Sequence, residues 1–434
     1  MLQFESQLPN TIPNLKVLII GASIAGPTAA YWLSKAGADI TVIERFPSLR
    51  TNGQNVDIRT SGVTIMRKMP GMETAVRAKT SQMEGINFVL ADGSTYASIK
   101  PTGNPEQQSL VSEYEILRGD LSQILFDLTK DNKSIKYVFG EQVVSMRQQI
   151  DGKVNSPITV EFANGLAIAE YDLVVACDGA TSRTRAMGLG CGSGDYVYPS
   201  NCWAAFFSTN EDLFGGNTMG HAYSAVGGRF IAAGSDSSGV TRVVLMGLNP
   251  PGDYSASASF CDAMKKGDDG LKQFVASHYE GAGWKTKEIM KCMLNSTDFY
   301  ANEIVQVKTP SLYNGRFILV GDAGYAAGFT GAGTTLAITG AYLLAGEINK
   351  HAGNLEAGIR GYAEQMRPMI AKLQKSPPLI RTILAPQTAW GLWVRNRIFA
   401  LVAWSRILVF AQKYFASAFA SSDKFGLPEY EWVA

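Results

Sequence analysis

Residues Val17–Gly26 read VLIIGASIAG. Four apolar residues in a row suit a strand buried on both faces, as in a parallel sheet. Gly21 and Gly26 then bracket a turn into a helix, spaced as in the dinucleotide-binding fingerprint G-x-G-x-x-G, with Ser23 in place of the middle glycine. Gly21 permits the tight turn, and Gly26 lets the helix lie close to the sheet. The helix N-terminus offers free backbone N–H groups and a positive dipole end to a pyrophosphate. Serine is small, so it hinders that approach only in part, and its hydroxyl is an added donor. Pro27–Lys35 reads as the helix, Gly37 ends it, and Asp39–Glu44 completes a βαβ unit. Glu44, 23 residues after Gly21, stands where a carboxylate accepts hydrogen bonds from an adenosine ribose. Taken alone, it is a solvated strand-end charge.

The chain has 434 residues, 46% of them apolar, enough for two domains or one large α/β body with a full core. Lys and Arg (39) nearly balance Asp and Glu (38), which argues against nucleic acid as the main partner. Cys177, Cys191, Cys202, Cys261 and Cys292 are scattered without a CxxC pair, and His221, His278 and His351 are far apart. Neither a disulfide framework nor a metal centre is expected, and a reducing, cytoplasmic compartment fits. The N-terminal MLQFESQLPNTIPNLK lacks the pattern of a signal peptide. Leu379–Ala420 is rich in Trp, Phe, Leu and Ile, but Arg395, Arg397, Arg406 and Lys413 interrupt it. It reads as helices packed on the body, with an interfacial helix at a membrane surface as the alternative.

Downstream, Leu121–Thr129 reads as a helix. Ile135–Arg147, Ile158–Ala163 and Leu166–Cys177 alternate like an antiparallel meander, with a turn at Asn164–Gly165, feeding a buried strand Asp172–Cys177. From Cys191 to Asn295, strands and Gly/Ser turns dominate (Cys202–Ser208, Tyr223–Ala225, Arg229–Ala233, Thr241–Gly247), followed by a helix near Leu271–Tyr279. Met83–Lys100, turning at Asp92–Gly93, adds strands to them. Arg316–Val320 is again a buried strand, leading through a Gly-rich loop to a helix over Thr335–Lys350. The expected class is α/β. A discontinuous Rossmann-like nucleotide domain (14–82, 111–190, 296–370) combines a parallel sheet with the meander. An inserted β-rich substrate domain (83–110, 191–295) and a C-terminal helical segment (371–434) complete it.

Three further motifs stand at strand ends. Arg316–Val320 delivers Gly321-Asp322, and Gly331-Ala332-Gly333-Thr334-Thr335 opens the next helix; alone, Asp322 is a turn cap. Asp172–Cys177 delivers Asp178-Gly179 before a basic cluster at Arg183 and Arg185; alone, this is a turn with surface arginines. Glu115-Ile116-Leu117-Arg118-Gly119-Asp120 alone is a helix start capped by Asp120.

Together and in this order, the four motifs resemble the FAD-dependent aromatic-hydroxylase family, the single-component flavoprotein monooxygenases of the p-hydroxybenzoate hydroxylase type, over about residues 14 to 370. GQNVDIR (Gly53–Arg59), ILRGDL (Ile116–Leu121) and TTLAITGAYLLAGEI (Thr334–Ile348) resemble the branch that contains tetracycline-inactivating monooxygenases and many natural-product hydroxylases. The resemblance implies that Gly21, Ser23 and Gly26 hold the FAD pyrophosphate. Glu44 holds the adenosine ribose, with Arg45 near the adenine. Arg118 reaches the phosphate and ribityl region, and Asp322 binds a ribityl hydroxyl. Ala332 and Gly333 present N–H groups to the flavin ring carbonyl, stabilising charge on the reduced ring. Asp178, Gly179 and Arg185 belong to a motif tied in that family to both FAD and NAD(P)H.

The implied reaction is oxygenation of a hydrophobic aromatic or polycyclic substrate by hydroxylation or epoxidation: transient NAD(P)H reduces FAD, dioxygen forms a C4a-hydroperoxide, and one oxygen is transferred. A flavin oxidase or dehydrogenase on the same scaffold, and a non-catalytic flavin- or ligand-binding protein, are the alternatives. No catalytic acid or base is assigned; His221, Tyr223 and Arg229 are considered, with a structural role favoured for each. The chain departs from the family pattern after Asp322: Gly324–Phe329 lacks the His and proline and is about one residue shorter, which puts the pocket beside the ring in question. A second Rossmann turn, as in Baeyer–Villiger enzymes, and the tryptophan-rich halogenase signature near Gly283–Thr286 are both missing.

Overall fold

The computed structural model describes residues 15–50, 53–80, 84–100, 113–148, 156–236, 238–250, 252–253, 255–375, 380–405 and 426–432. The expectations for the N-terminal stretch, for 101–112 and for Arg406 and Lys413 lie outside them.

The strand Lys16–Ile20 lies at the middle of a six-stranded sheet. It pairs in parallel with Leu173–Ala176 on one side and Asp39–Glu44 on the other. Phe317–Leu319 and Ile135–Phe139 extend the parallel run outward, and Tyr313–Asn314 closes one edge antiparallel. The period of two along a strand explains the uninterrupted apolar run. Val17 and Ile19 face the helices Ala25–Lys35, Gly333–Lys350 and Leu355–Leu373, while Leu18 and Ile20 face the meander Val143–Gln148, Ile158–Phe162 and Ala169–Tyr171. Both faces are therefore buried.

A seven-stranded sheet runs in the order Tyr300–Val307, Val197–Thr209, Thr241–Leu248, Arg229–Ser235, Gly220–Ala225, Ile86–Val89 and Thr95–Ile99. Helices Ser255–Lys265, Gly267–His278 and Thr286–Asn295 cover one face and enclose a second core around Trp203, which stacks on Phe260 at 5.4 Å between ring centroids. The helix Ala389–Trp404 lies beside the edge strand, Phe399 against Phe88, and leaves Trp390 (75% exposed), Trp393, Ile398 and Leu401 open. Residues 426–432 return to the first core, with Trp432 at 4.8 Å from Trp32. Among the described residues, no helix is long and apolar enough to cross a membrane.

Four expectations need correction. Ile135–Arg147 is two strands, not one: Gly140 (φ +74°) breaks it, the first half joining the parallel sheet and the second starting the meander. The β-rich part does not stop at 295, because Tyr300–Val307 pairs with Val197–Thr209. Helices over Ser255–Lys265 and Thr286–Asn295 add to the one expected. The segment after 371 is not helical throughout, since 426–432 form an extended strap held by side chains: Tyr342 Oη donates to the Pro428 carbonyl and Tyr430 Oη to Glu347.

Candidate active site

Gly21 leaves the first strand with φ +107°, and a Cβ there would stand 2.6 Å from the Cys177 carbonyl oxygen. A Cβ on Gly26 would stand 1.9 Å from the Gly21 carbonyl oxygen. Neither position has room for a side chain, so the turn and the helix close tightly on the strand ends. The helix Ala25–Lys35 carries no side-chain cap and no acid in its first turn, leaving its N-terminal field for an anion. Ser23 Oγ lies 3.3 Å from Ser122 Oγ on the helix Arg118–Asp127. Glu44 is only 9% exposed and accepts from the backbone N–H of Ala22 (3.0 Å) and Phe46 (3.2 Å). A carboxylate has about four acceptor positions, so two remain open to further donors. Arg45 is exposed at the strand end, 4.9 Å from the Phe46 ring.

The second glycine turn comes to the same place. A Cβ on Gly321 would be 2.9 Å from the Ala25 Cβ, and one on Gly333 would be 3.4 Å from Asp322 Oδ1. Asp322 is open to the groove but hemmed in by protein; burial raises its pKa and the Arg118 charge opposes the rise. The stem of Arg118 lies against Gly53, whose Cβ would be 3.1 Å from the Arg118 Cβ. The helix Gly333–Lys350 is buried from Thr334 to Ile348 and starts at Ala332 without a side-chain cap. Thr335 Oγ1 accepts from the Arg59 N–H (3.1 Å) and donates to the Arg59 carbonyl (3.2 Å), tying this N-terminus to the strand Asn55–Asp57. The groove thus offers two uncapped helix N-termini, a buried ribose-type carboxylate and an Asp–Arg pair of opposite charge. That donor and acceptor set fits FAD.

Asp178 and Arg185 are wired inward. Asp178 accepts from Ser182 Oγ (2.5 Å) and the Thr184 N–H (3.4 Å); burial raises its pKa and these bonds hold it back. Gly179 turns with φ +90°. Arg185 is fully buried: Nη1 donates to the carbonyls of Ala180 (2.9 Å) and Ala323 (3.0 Å), and Nη2 to that of Ser193 (3.2 Å). It braces the Asp178 turn against the Asp322 turn. This corrects its reading as a surface arginine; of the two, only Arg183 is exposed.

The loop after Asp322 also differs from expectation. Tyr325 does not line a pocket. It is buried in the first core, with its hydroxyl 3.2 Å from that of Tyr362, which donates to the Leu319 carbonyl (2.7 Å). The Gln306 and Gln374 side-chain amides hold the carbonyls of Ala327 and Ala326. Phe329 reaches the other sheet, packing against the cluster of Cys202, Leu248 and Ala385. Of the side chains considered for proton transfer, Tyr223 donates to the Ala282 carbonyl and Arg229 to the Val226 and Glu280 carbonyls, which are structural roles.

His221 is structural as well: its ring stacks on Phe214 at 4.5 Å between centroids, on the helix-covered face of the sheet with its cross-strand partner Ala233. A cavity of about 220 Å³ lies between the ladder Asn55–Asp57/Glu115–Leu117 and the seven-stranded sheet. Gln54, Asn55, Asp57 and Glu115 form one wall, with Phe206, Val244 and Tyr300 among the residues opposite. The sequence reading missed Glu115, Asp57 and Gln54. Val56 and Ile116 face the core while Asn55, Asp57 and Glu115 face the cavity, an alternation that two three-residue strands are too short to announce in the sequence.

The family model described as FAD binding domain matches residues 14–375, and the chain belongs to this family. It is an FAD-dependent monooxygenase. The FAD-dependent monooxygenase asL4 of Sarocladium schorii is 33% identical over 420 residues, covering 91% of this chain and 94% of that one. The flavin-dependent monooxygenase eupH of a Phoma species is 31% identical over 420 residues, covering 91% and 93%. The crystal structure of the tetracycline destructase Tet(55) superposes with a TM-score of 0.74 at 27% identity, covering 98% of this chain and all of that one.

Proposed function

We propose that the chain inserts one oxygen atom of dioxygen into a small hydrophobic aromatic or polycyclic compound, by hydroxylation or epoxidation, at the expense of NAD(P)H. The observation that carries this reading is continuity. The two glycine turns meet, with a Cβ on Gly321 reaching Ala25 and one on Gly333 reaching Asp322, and the Thr335–Arg59 contact joins the second helix end to the cavity ladder. FAD bound there supplies the redox chemistry, taking up reducing equivalents from NAD(P)H and activating dioxygen.

The chain's own residues bind, orient and exclude water. The N–H groups about Gly21, Ser23 and Gly26 receive the pyrophosphate. Glu44 receives the ribose, and Arg45 flanks the adenine. Arg118 and Asp322 hold the ribityl region. Ala332 and Gly333 direct the positive helix end at the ring carbonyl. Asp178 and Gly179 shape the adjoining turn. In this reading the parallel-sheet segments form the FAD domain and the seven-stranded sheet roofs the substrate. Kinship with a tetracycline destructase supports a polycyclic substrate.

The test uses isotopically labelled dioxygen with the FAD-loaded enzyme, NAD(P)H and a panel of phenolic and polycyclic compounds. One labelled oxygen in the product is expected. Peroxide release without incorporation would instead identify an oxidase.

A further inference from the structure

The ladder that walls the cavity places two carboxylates opposite one another. Asp57 and Glu115 are cross-strand partners, which sets their Cβ atoms about 5 Å apart. Asp57 is matched from two residues further along the chain: Arg59 Nη2 and Nε donate to it at 2.8 and 3.2 Å. Glu115 is not. Its Oε1 accepts from Asn55 Nδ2 at 2.9 Å, and among the described residues no donor meets its second oxygen. Burial, and then the Asp57 charge, push the Glu115 pKa up to about 7; Asn55 and Arg59 hold it from rising further. A carboxyl so placed exchanges a proton near neutrality.

Across the cavity, the charged groups are satisfied among themselves. Arg242 pairs with Asp236 at 3.0 Å, Asp298 accepts from the Ser208 N–H at 3.1 Å, and Asn302 donates to the Tyr300 hydroxyl. One polar atom is not: Gln54 Oε1 is buried without a partner among the described residues. With the free Glu115 oxygen, the unmet groups of the cavity wall are acceptors.

We propose that Glu115, with Gln54, forms an acceptor subsite for a weakly acidic hydroxyl of the substrate, and that Glu115 takes its proton. The substrate O–H bond breaks, an O–H bond forms on the free Glu115 oxygen, and the electron pair stays on the substrate oxygen. A ring enriched in this way is a better target for an electrophilic oxygen. The inference rests on the reading of the cavity as the substrate site.

The experiment compares binding of 4-nitrophenol with that of 4-nitroanisole to the FAD-loaded protein near pH 7, by flavin fluorescence and difference absorbance. The methyl ether has the same ring and lacks only the proton. Wild type is expected to prefer the phenol by about tenfold, as a site built to bond a hydroxyl rejects the analogue without one. Glu115→Gln, which keeps the shape and cannot take the proton, is expected to lose that preference while holding FAD at wild-type stoichiometry. Asp57→Asn, which removes the neighbouring charge, is expected to move the pH profile of phenol binding downward without abolishing it. Equal affinity for the two probes in wild type, no binding of the phenol, or an unchanged preference in Glu115→Gln overturns the proposal. Those results leave the flavin reading standing, whereas a chain that takes up no FAD overturns that reading first.

Discussion

Glu44→Ala separates two roles that one carboxylate plays. In the protein alone, Glu44 braces the turn by accepting from the N–H groups of Ala22 and Phe46. The Ala22 bond is buried, and stranding such a donor costs about 1–3 kcal/mol; the half-buried Phe46 N–H finds water instead. The FAD-free variant is therefore expected to lose about 2 kcal/mol of stability, read by urea denaturation. In the proposed complex, the two acceptor positions left on Glu44 receive the ribose hydroxyls. Losing two charge-assisted bonds at about 1.5 kcal/mol each weakens FAD binding by about 3 kcal/mol, or roughly a hundredfold. Titration of the FAD-free protein, followed by flavin fluorescence, measures this directly. Arg45→Ala is the control: an exposed side chain beside Phe46 is expected to change FAD affinity by less than about tenfold. The reasoning fails if Glu44→Ala destabilises the empty protein as stated yet binds FAD within about threefold of wild type. Glu44 would then be a turn brace and nothing more.

Gly340→Ala is expected to destabilise by about 1–3 kcal/mol, because its Cβ would stand 1.9 Å from the Tyr325 hydroxyl. Adding Tyr325→Phe, which removes that oxygen, should restore at least half of the loss in a denaturation double-mutant cycle. His278 packs on Trp203 at 5.1 Å, and burial, with the Arg229 charge adding to it, pushes its pKa down to about 4. Below its ordinary pKa of about 6.5 the unfolded chain takes up a proton that the folded chain refuses, so stability falls as pH drops from there toward 4. At pH 5 this amounts to about 2 kcal/mol, and His278→Phe is expected to flatten that part of the stability profile.

The nucleotide half of the fold was readable because its determinants are local. The strand–turn–helix of 17–35 needs only an apolar run, two glycines and a helix, and each strand-end motif repeats that grammar. What sequence could not convey is how the motifs meet. Arg183 and Arg185 are two apart in the chain and look alike, yet one is exposed and the other is fully buried between two turns that are over a hundred residues apart. The division of Ile135–Arg147 likewise depends on a single left-handed glycine. The cavity wall was hidden for another reason. Glu115 lies in a three-residue strand whose alternation is too short to assign a face, and only the antiparallel partner Asn55–Asp57 reveals which side it shows.

The two departures from the family pattern carry a related lesson, since each has a structural substitute. Ser23 replaces a glycine whose value lies in leaving space, but its hydroxyl is directed at Ser122, on the helix that begins with Arg118. It links the Gly21–Gly26 turn to the helix that carries Arg118, the side chain proposed to reach the cofactor's ribityl region. The proline-free loop after Asp322 lacks a ring to stiffen it. Its conformation is instead set by Tyr325 in the core and by the Gln306 and Gln374 amides on two successive carbonyls. Backbone held by buried hydrogen bonds is as well defined as backbone held by a proline, because moving it would strand polar groups away from water. The altered loop therefore argues for a differently braced pocket, and not for a chain that has given up its chemistry.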